Sequence, residues 1–391
     1  MVKIMVARSR SRAPEISRGA AEQPDERFGG MVDISDAMAG ATLKATHELE
    51  PFCGWGYAHA TAGSKMLRCG KCKKRVYCSK ACQISDWKDG AHKHWCGKAG
   101  ELGHDIAVRA TESKGNALFA MRKIERGEKI MVERAAATKE QCATCTPASV
   151  PAGMVRAAAA LMPRDNPELG SKFALNAFDM DDGAEGLFIH MAYANHSCIP
   201  NAVHHSVASQ GGVKLLVAGR TIEAGEEITH AYVSLEGEVR LAASGKLTGA
   251  FLQEVWGFNC TCEACTQPAK RARLTRMREL DACIVACTMS DVREPDGPRR
   301  FDEALRAGDE LIALYDELRL SPNHYARTYY LLFQLGVTRR ATLAQARKHV
   351  ALAREARVLL VGEGTVCEEV AKLRKLESAP ETHNAYLAGE P

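Results

Sequence analysis

The spacing of apolar positions divides the chain into four stretches. Residues 1–48 are rich in Gly, Ala, Ser and charge without a period, which predicts a disordered leader. Residues 49–98 hold few apolar positions and many Cys and His. Between 105 and 266, short apolar runs alternate with Gly-bearing turns, as in Asn116–Ala120, Glu128–Glu133 and Val213–Val217. These runs predict short strands of an irregular β domain, with Gly127-Glu128 and Gly225-Glu226 placed where a turn leads into a strand. From about residue 268 the period becomes helical. Apolar residues recur at three and four over Phe301–Leu318, Tyr325–Leu335 and Leu343–Leu360, with Pro322 ahead of one helix and Gly362 closing another. Three or four antiparallel helices over 268–378 follow, faintly like a tetratricopeptide hairpin. The expected class is α+β: a β-rich domain, a small Cys/His unit and a helical bundle.

A chain of 391 residues has room for two or three such cores. No apolar run approaches the roughly 18 residues of a membrane span, so no transmembrane helix is expected. The net charge of +4 selects no partner. Arg8-Ser-Arg10-Ser-Arg12 is read as part of a solvated tail in preference to an address signal. From Lys65 to Lys98 there are ten Lys/Arg against two Asp. Such a stretch suits acidic protein or nucleic acid, or is simply a solvated face. Neither a recognition helix nor an aromatic stacking pattern accompanies it, which argues against nucleic acid.

Nine of the fifteen cysteines fall in two groups, over 53–96 and 260–265. Short spacings of this kind read as metal sites in preference to disulfides. In the first group, Cys69-x2-Cys72 is a knuckle that aims two sulfurs at one ion, and Cys78-x3-Cys82 and His92-x3-Cys96 each bring two ligands to one helical face. Thiolates with imidazole favour zinc. A unit this poor in apolar residues needs the metal for folding, on the order of 10 kcal/mol per ion. His94 stands too near Cys96 to fit the pattern and is expected to be exposed. In the second group Cys260, Cys262 and Cys265 cannot close a tetrahedral site alone, and Cys198 is the obvious fourth ligand. Cys283, Cys287 and Cys367 read as small buried residues.

The string Leu67-Arg-Cys-Gly-Lys-Cys-Lys73, Tyr77-Cys-Ser79, Cys82-Gln83, Asp86-Trp87 and His92-Lys93-x2-Cys96 closely resembles a MYND finger. By that resemblance Cys69, Cys72, His92 and Cys96 hold one zinc, and Cys78 and Cys82 hold a second with an earlier Cys-x2-Cys pair. Here the chain departs: Cys53 is present, but Gly56 stands where its partner belongs. His59 is the favoured replacement, with Cys142-x2-Cys145 folding back as the alternative.

Four further motifs, in order, resemble the SET methyltransferase domain, in particular the SMYD-like proteins that pair SET with MYND. They are Lys114-Gly-Asn-Ala-Leu-Phe-Ala120 with Ile124-x2-Gly127-Glu128; Asn176-Ala177-Phe178; Asn195-His-Ser-Cys-x-Pro-Asn201; and Gly225-Glu-Glu-Ile-Thr229 with Tyr232, continuing to Gly257-Phe258-x-Cys260-x-Cys262-x2-Cys265. The resemblance implies a 49–98 finger, a 105–266 SET and post-SET domain, and a 268–378 helical region walling the substrate cleft. It also implies S-adenosylmethionine and three zinc ions as cofactors. Lys114, Gly115, Asn116, Asn176, Asn195 and His196 would bind S-adenosylmethionine, with Phe258 on its adenine. Tyr232 would orient a neutral lysine amine against the methyl group, and Phe178, Tyr193 and Trp256 would line the channel.

The activity so implied is protein-lysine N-methylation of a histone or another protein, in the nucleus, the cytoplasm or both. The competing reading is an inactive SET-fold scaffold that docks proline-containing peptides through the finger. One difference of layout stands out. The best-known members insert the finger into SET, whereas here it precedes Lys114–Ala120.

Overall fold

The structure, a computed structural model, describes residues 53–57, 66–144, 154, 157–158, 161, 169–180, 183–207, 210, 212–235, 237–238, 248–290, 294–362 and 367–389. The expected leader over 1–48, His59 and Cys145 lie outside the described residues, as does the side chain of Cys142.

The first unit is built on a two-residue ladder, β1 (Leu67–Arg68) antiparallel to β2 (Val76–Tyr77). The knuckle Cys69–Cys72 forms the turn between them. Lys73 takes the left-handed conformation there (φ 62°), and the Cys69 N–H donates to the Arg75 carbonyl at 2.9 Å. Ser79 caps the helix Lys80–Lys88 by accepting from the Cys82 N–H at 3.1 Å. That cap orients the helix so that Cys82 in its first turn faces Cys78 just before it. A short helix, His92–Trp95, presents His92 inward and ends at Cys96, while His94 is exposed as expected.

The β-rich part comprises three small sheets. The hairpin β3 (Ile106–Thr111) and β4 (Gly115–Ala120) is extended by β12 (Glu227–His230) and β9 (Asn195–His196), in the order β3-β4-β12-β9. β9 runs parallel to β12, pairing Asn195 with Thr229 and His196 with His230. A second sheet has the order β10-β11-β5, from β5 (Lys129–Arg134), β10 (Ala202–Ser206) and β11 (Val213–Ala218). The third joins β6 (Ala137–Thr138), β8 (Glu185–Leu187) and β7 (Ala177–Asp179). The three runs expected as strands are thus β4, β5 and β11. Gly127 and Gly225 both have positive φ, 82° and 84°, so each turn into β5 and β12 uses a conformation that glycine adopts without cost. One core fills the space between the sheets, with Ile106, Leu118, Phe188, Ile189, Met191 and Ile228 fully buried in it.

Among the described residues the helical region contains five long helices where three or four were expected: Pro268–Met289, Gly297–Leu318, Pro322–Gly336, Leu343–Val361 and Glu368–Ser378. The first was not singled out because its apolar positions do not gather into one stripe; Asp281 is among the residues it buries. Pro322 opens its helix behind the Ser321 cap, and Gly362 ends another at φ 90°. Leu311, Tyr315, Leu318 and Leu335 share one core with Leu274, Met277 and Ile284.

Two contacts tie this bundle to the sheets. Cys198, Ile199 and Cys262 pack against the first helical core. Leu360, Val361 and Val370 join Ala91, Val132, Val213 and Val217 in a seam shared by all three parts of the chain. The Cys/His unit is locked on by Arg75, which donates to the Gly54 carbonyl at 2.9 Å and pairs with Asp86 (2.8 Å) and Glu101 (3.5 Å). Lys74 adds an ion pair to buried Asp105 at 3.0 Å. No described helix is long and apolar enough to cross a membrane.

Candidate active site and zinc centres

Three groups of ligand atoms converge among the described residues: Cys69, Cys72, His92 and Cys96; Cys198, Cys260, Cys262 and Cys265; and Cys53, Cys78 and Cys82. In the first, the Sγ atoms of Cys69 and Cys96 are 3.8 Å apart and Cys72 Sγ is 3.7 Å from His92 Nε2. In the second, Cys198 Sγ lies 3.6 Å from Cys265 and 4.0 Å from Cys260. A tetrahedral zinc with sulfur at 2.3 Å requires sulfur–sulfur edges of about 3.8 Å, so both groups have the spacing of closed structural sites. His92 turns its other nitrogen toward Glu101, 3.7 Å away, the usual outer partner of a ligating histidine. In the third group Cys78 and Cys82 are 3.4 Å apart, and Cys53 completes a trio. The chemistry of all three donor sets fits zinc.

The Cys198 cluster does more than staple. His196, two residues earlier on β9, reaches it with Nε2 at 3.4 Å from Cys198 Sγ. Its Nδ1 accepts the Tyr232 backbone N–H at 3.1 Å. A ring that accepts at Nδ1 carries its proton on Nε2, so the same imidazole can donate to the Cys198 sulfur, which would be a thiolate with zinc bound. Both ring nitrogens are therefore engaged within the protein. What His196 offers a bound molecule is its ring face and backbone.

Around Tyr232 the rings form a continuous wall. Its centroid lies 5.0 Å from His230, 5.2 Å from Trp256, 5.4 Å from His196 and 6.2 Å from Phe258. Trp256 is fixed from behind, its Nε1–H donating to the Leu175 carbonyl at 3.2 Å. Burial, with a smaller push from the Glu227 carboxylate, holds the Tyr232 phenol well above its ordinary range, so the hydroxyl stays protonated. Phe178 stacks on His230 at 5.4 Å and meets His204 edge-on at 5.1 Å. Burial pushes His230 down to about 3 and lowers His204 strongly as well, so both are neutral in this wall. Lys214 stands behind His204, its Nζ 3.5 Å from Nδ1 and donating to Ser206 Oγ at 2.9 Å. Tyr193, also expected in the channel, is buried in the main core and makes no described ring contact with Tyr232.

The polar residues expected to hold a cofactor lie on neighbouring strands. Asn195 Nδ2 donates to the Asn116 carbonyl (3.3 Å) and to Glu227 Oε1 (3.0 Å), and Lys114 Nζ pairs with Glu227 Oε2 at 2.7 Å. Gly115 at φ 76° lets β4 begin directly beneath them. Asn116 Oδ1 is buried without a hydrogen-bond partner. An orphaned acceptor beside a lysine and an amide suits a ligand bearing both an ammonium and a carboxylate. Asn176 sits at the end of the helix Leu169–Asn176, its Nδ2 bonded back to the Lys172 carbonyl at 2.7 Å.

Glu227, which gathers Lys114 and Asn195, was missed by the sequence reading. So was His230, although alternation along the strand places it on the Tyr232 side, two residues away. Asn201 is a third such residue. Its Nδ2 donates to the Glu227 carbonyl (2.8 Å) and Glu226 Oε1 (3.0 Å), while Oδ1 accepts from the Thr229 N–H (2.8 Å). It fastens the Asn195–Asn201 loop to β12.

With this geometry in view, comparison with known proteins is specific. A family model described as SET domain matches residues 115–233, and one described as MYND finger matches 52–96. A polypeptide carrying both is a SET–MYND protein, with the finger here ahead of the matched SET segment. Within that class the chain is similar to SMYD and SET5 proteins. It is 28% identical over 226 residues to the Mus musculus protein named histone-lysine N-methyltransferase SMYD3, covering 53% of this chain and 50% of that one. It is 27% identical over 231 residues to the Schizosaccharomyces pombe histone-lysine N-methyltransferase set5, covering 56% and 64%. To the Gallus gallus N-lysine methyltransferase SMYD2 it is 25% identical over 234 residues, covering 55% and 51%. The chain thus spans half to just under two thirds of the length of these relatives.

Proposed function

We propose that this chain is a protein-lysine N-methyltransferase that uses S-adenosylmethionine and acts on an exposed lysine of a histone or another protein. The observation that carries the reading is the meeting of Tyr232, Trp256, Phe258 and His196 in one aromatic wall beside Asn116, Asn195 and Lys114. The names of the SMYD and SET5 relatives support the same activity.

The cofactor would be held by Lys114, Asn116 and Asn195, with Phe258 against its purine, and when bound it supplies a methyl group activated by a sulfonium. Asn176 and His196 would contribute through backbone and shape, since their side-chain donors are engaged elsewhere. The wall of Tyr232, His230, Phe178 and Trp256 excludes water from the substrate amine. Desolvation favours its neutral form, leaving the nitrogen lone pair free to attack. The Tyr232 hydroxyl, kept protonated, orients that amine. The amine so desolvated and oriented would accept the methyl group that bound S-adenosylmethionine would supply. Positioning carries most of the rate.

A further role of the finger in docking proline-containing peptides remains part of this proposal, by the resemblance to MYND fingers alone. Titration calorimetry with S-adenosylmethionine tests the assignment first. Absence of binding at millimolar cofactor would instead favour a scaffold. Incubation with labelled cofactor and a mixed histone and lysate panel identifies the substrate. Tyr232→Phe should keep cofactor binding and lose most methyl transfer; wild-type turnover in that variant would refute the role given to the hydroxyl.

A further inference from the structure

Glu227 joins three segments of the polar site. Its Oε1 accepts from Asn195 Nδ2 on β9 at 3.0 Å, and its Oε2 takes Lys114 Nζ, from the turn ahead of β4, at 2.7 Å. Its own backbone is held by Asn201, whose Nδ2 donates to the Glu227 carbonyl at 2.8 Å. The turn that carries Lys114 is closed by Thr111, whose Oγ1 accepts the Lys114 N–H at 3.0 Å and donates to the Gly115 carbonyl at 2.9 Å. Each partner thus stands on fixed backbone, and the carboxylate links their side chains.

These bonds dictate which way the Asn195 amide faces. A carboxylate and a backbone carbonyl can only accept. Asn195 Nδ2 meets one of each, Glu227 Oε1 and the Asn116 carbonyl, the latter at 3.3 Å. A flipped amide would set Oδ1 against two acceptor oxygens. Both amide hydrogens are therefore spent within the protein, and what Asn195 has left to offer is Oδ1, an acceptor. The Lys114 ammonium lies across the same carboxylate, its side chain 35% exposed and so within reach of a ligand. An acceptor and a cation held side by side match a ligand end that bears an ammonium and a carboxylate.

We propose that Glu227 is the positioning residue of this subsite. It holds the Asn195 amide with Oδ1 toward the ligand's amino group and the Lys114 ammonium beside it, and so selects an α-amino-acid end over one that lacks the amino group. The inference rests on the methyltransferase reading, which supplies S-adenosylmethionine as the ligand. Removing the charge has two opposed effects. A glutamine can present either its oxygen or its nitrogen to Asn195, which frees the amide to flip. It also unpairs Lys114, which then attracts the ligand's carboxylate at least as strongly. Recognition of the amino group weakens while recognition of the carboxylate does not, whereas a residue that only props up the fold would weaken both.

The test is titration calorimetry on the full zinc-loaded chain with S-adenosylhomocysteine and with its deaminated analogue, in which hydrogen replaces the amino group. The wild type should prefer the first by at least about tenfold, the order of one charge-assisted hydrogen bond. Glu227→Gln should lower that preference by about tenfold, with the deaminated compound bound as well as before or better. In the Asn195→Ala background the same substitution should change the preference by less than about twofold, because the amide it positions is gone. A wild type indifferent to the amino group, equal losses for both ligands in Glu227→Gln, or an undiminished effect of Glu227→Gln without Asn195 would overturn the proposal. Failure of the wild type to bind either ligand would strike the methyltransferase reading itself, and this inference with it.

Discussion

Truncating Asn201 to Ala removes four hydrogen bonds that hold the Asn195–Asn201 loop on β12, the weakest a 3.5 Å contact from Thr229 Oγ1. The side chain is 2% exposed, so water does not replace them. Loss of the amide leaves the Thr229 N–H and the Glu227 carbonyl without their buried partner, at about 1–3 kcal/mol each. The bond to Glu226 contributes less, since Arg220 also pairs with that carboxylate and the side chain is 29% exposed. The expected loss is about 3–5 kcal/mol in urea unfolding followed by intrinsic fluorescence.

Asn201→Asp sharpens the test because it is isosteric. It keeps the acceptor for Thr229 but loses both donors and sets a carboxylate about 3 Å from Glu226, the distance the amide now spans. Like charges raise the folded pKa of the new acid above its unfolded value. Its destabilisation relative to wild type should therefore grow as pH rises and be smaller at pH 5 than at pH 8. Cofactor affinity should fall with stability in both variants, because Asn195 rides on the same loop. Two variants within 1 kcal/mol of wild type, or an Asp variant without pH dependence, would refute the account of how this loop is held.

Two other outcomes follow from the same geometry. His230 has a folded pKa near 3 against an ordinary 6.5, so the folded state excludes a proton that the unfolded chain takes up. Its contribution to stability is present above pH 6.5 and is lost as pH falls toward 3, by about 2 kcal/mol between pH 7 and pH 5; His230→Phe should flatten that part of the stability–pH curve, and parallel curves would exclude the role. Cys260→Ser should lose one of three zinc equivalents by metal analysis, weaken cofactor binding and leave far-UV helicity largely intact; unchanged cofactor affinity after loss of that zinc would sink the link between the centre and the site.

The sequence was most informative where chemistry forces a spacing. Three thiolates in Cys260–Cys265 cannot close a zinc site, and that deficit pointed across sixty residues to Cys198, which the structure places beside them. Strands β4, β5 and β11 were legible because apolar runs met glycines that their turns require. Glu227 was hidden by its position. As the second Glu of Gly225-Glu-Glu it reads as a surface charge, and only the pairing of β12 with β4 and β9 brings Lys114 and Asn195 to it. Arg75 was similarly just one more cation in a basic stretch, until the fold packed Asp86 and Glu101 against it. The first tail helix was missed because it is buried by neighbours on more than one side, which erases the single apolar stripe. In each case the missing information was a long-range partner, which local pattern does not carry.

That dependence on distant partners bears on how the site is held. Tyr232 lies just past the end of β12, in a bend, so the ladder alone does not fix it. Its backbone is held through His196 Nδ1, and a Cys198 thiolate at Nε2 would favour the tautomer that permits this bond. The sulfur is a thiolate only while a metal keeps it deprotonated. A protonated, unligated Cys198 would be a weaker acceptor, and the imidazole would be free to change tautomer or rotate. The same cysteine packs on the core of the helical region with Ile199 and Cys262. Zinc at this centre would therefore set a proton on one imidazole nitrogen, and through it the placement of Tyr232, as well as join two segments of chain. A serine at position 260 tests the metal, whereas His196→Gln tests the relay. If the relay is real, His196→Gln should retain all three zinc equivalents and still lose the ordered environment of Trp256, whose ring leans on Tyr232.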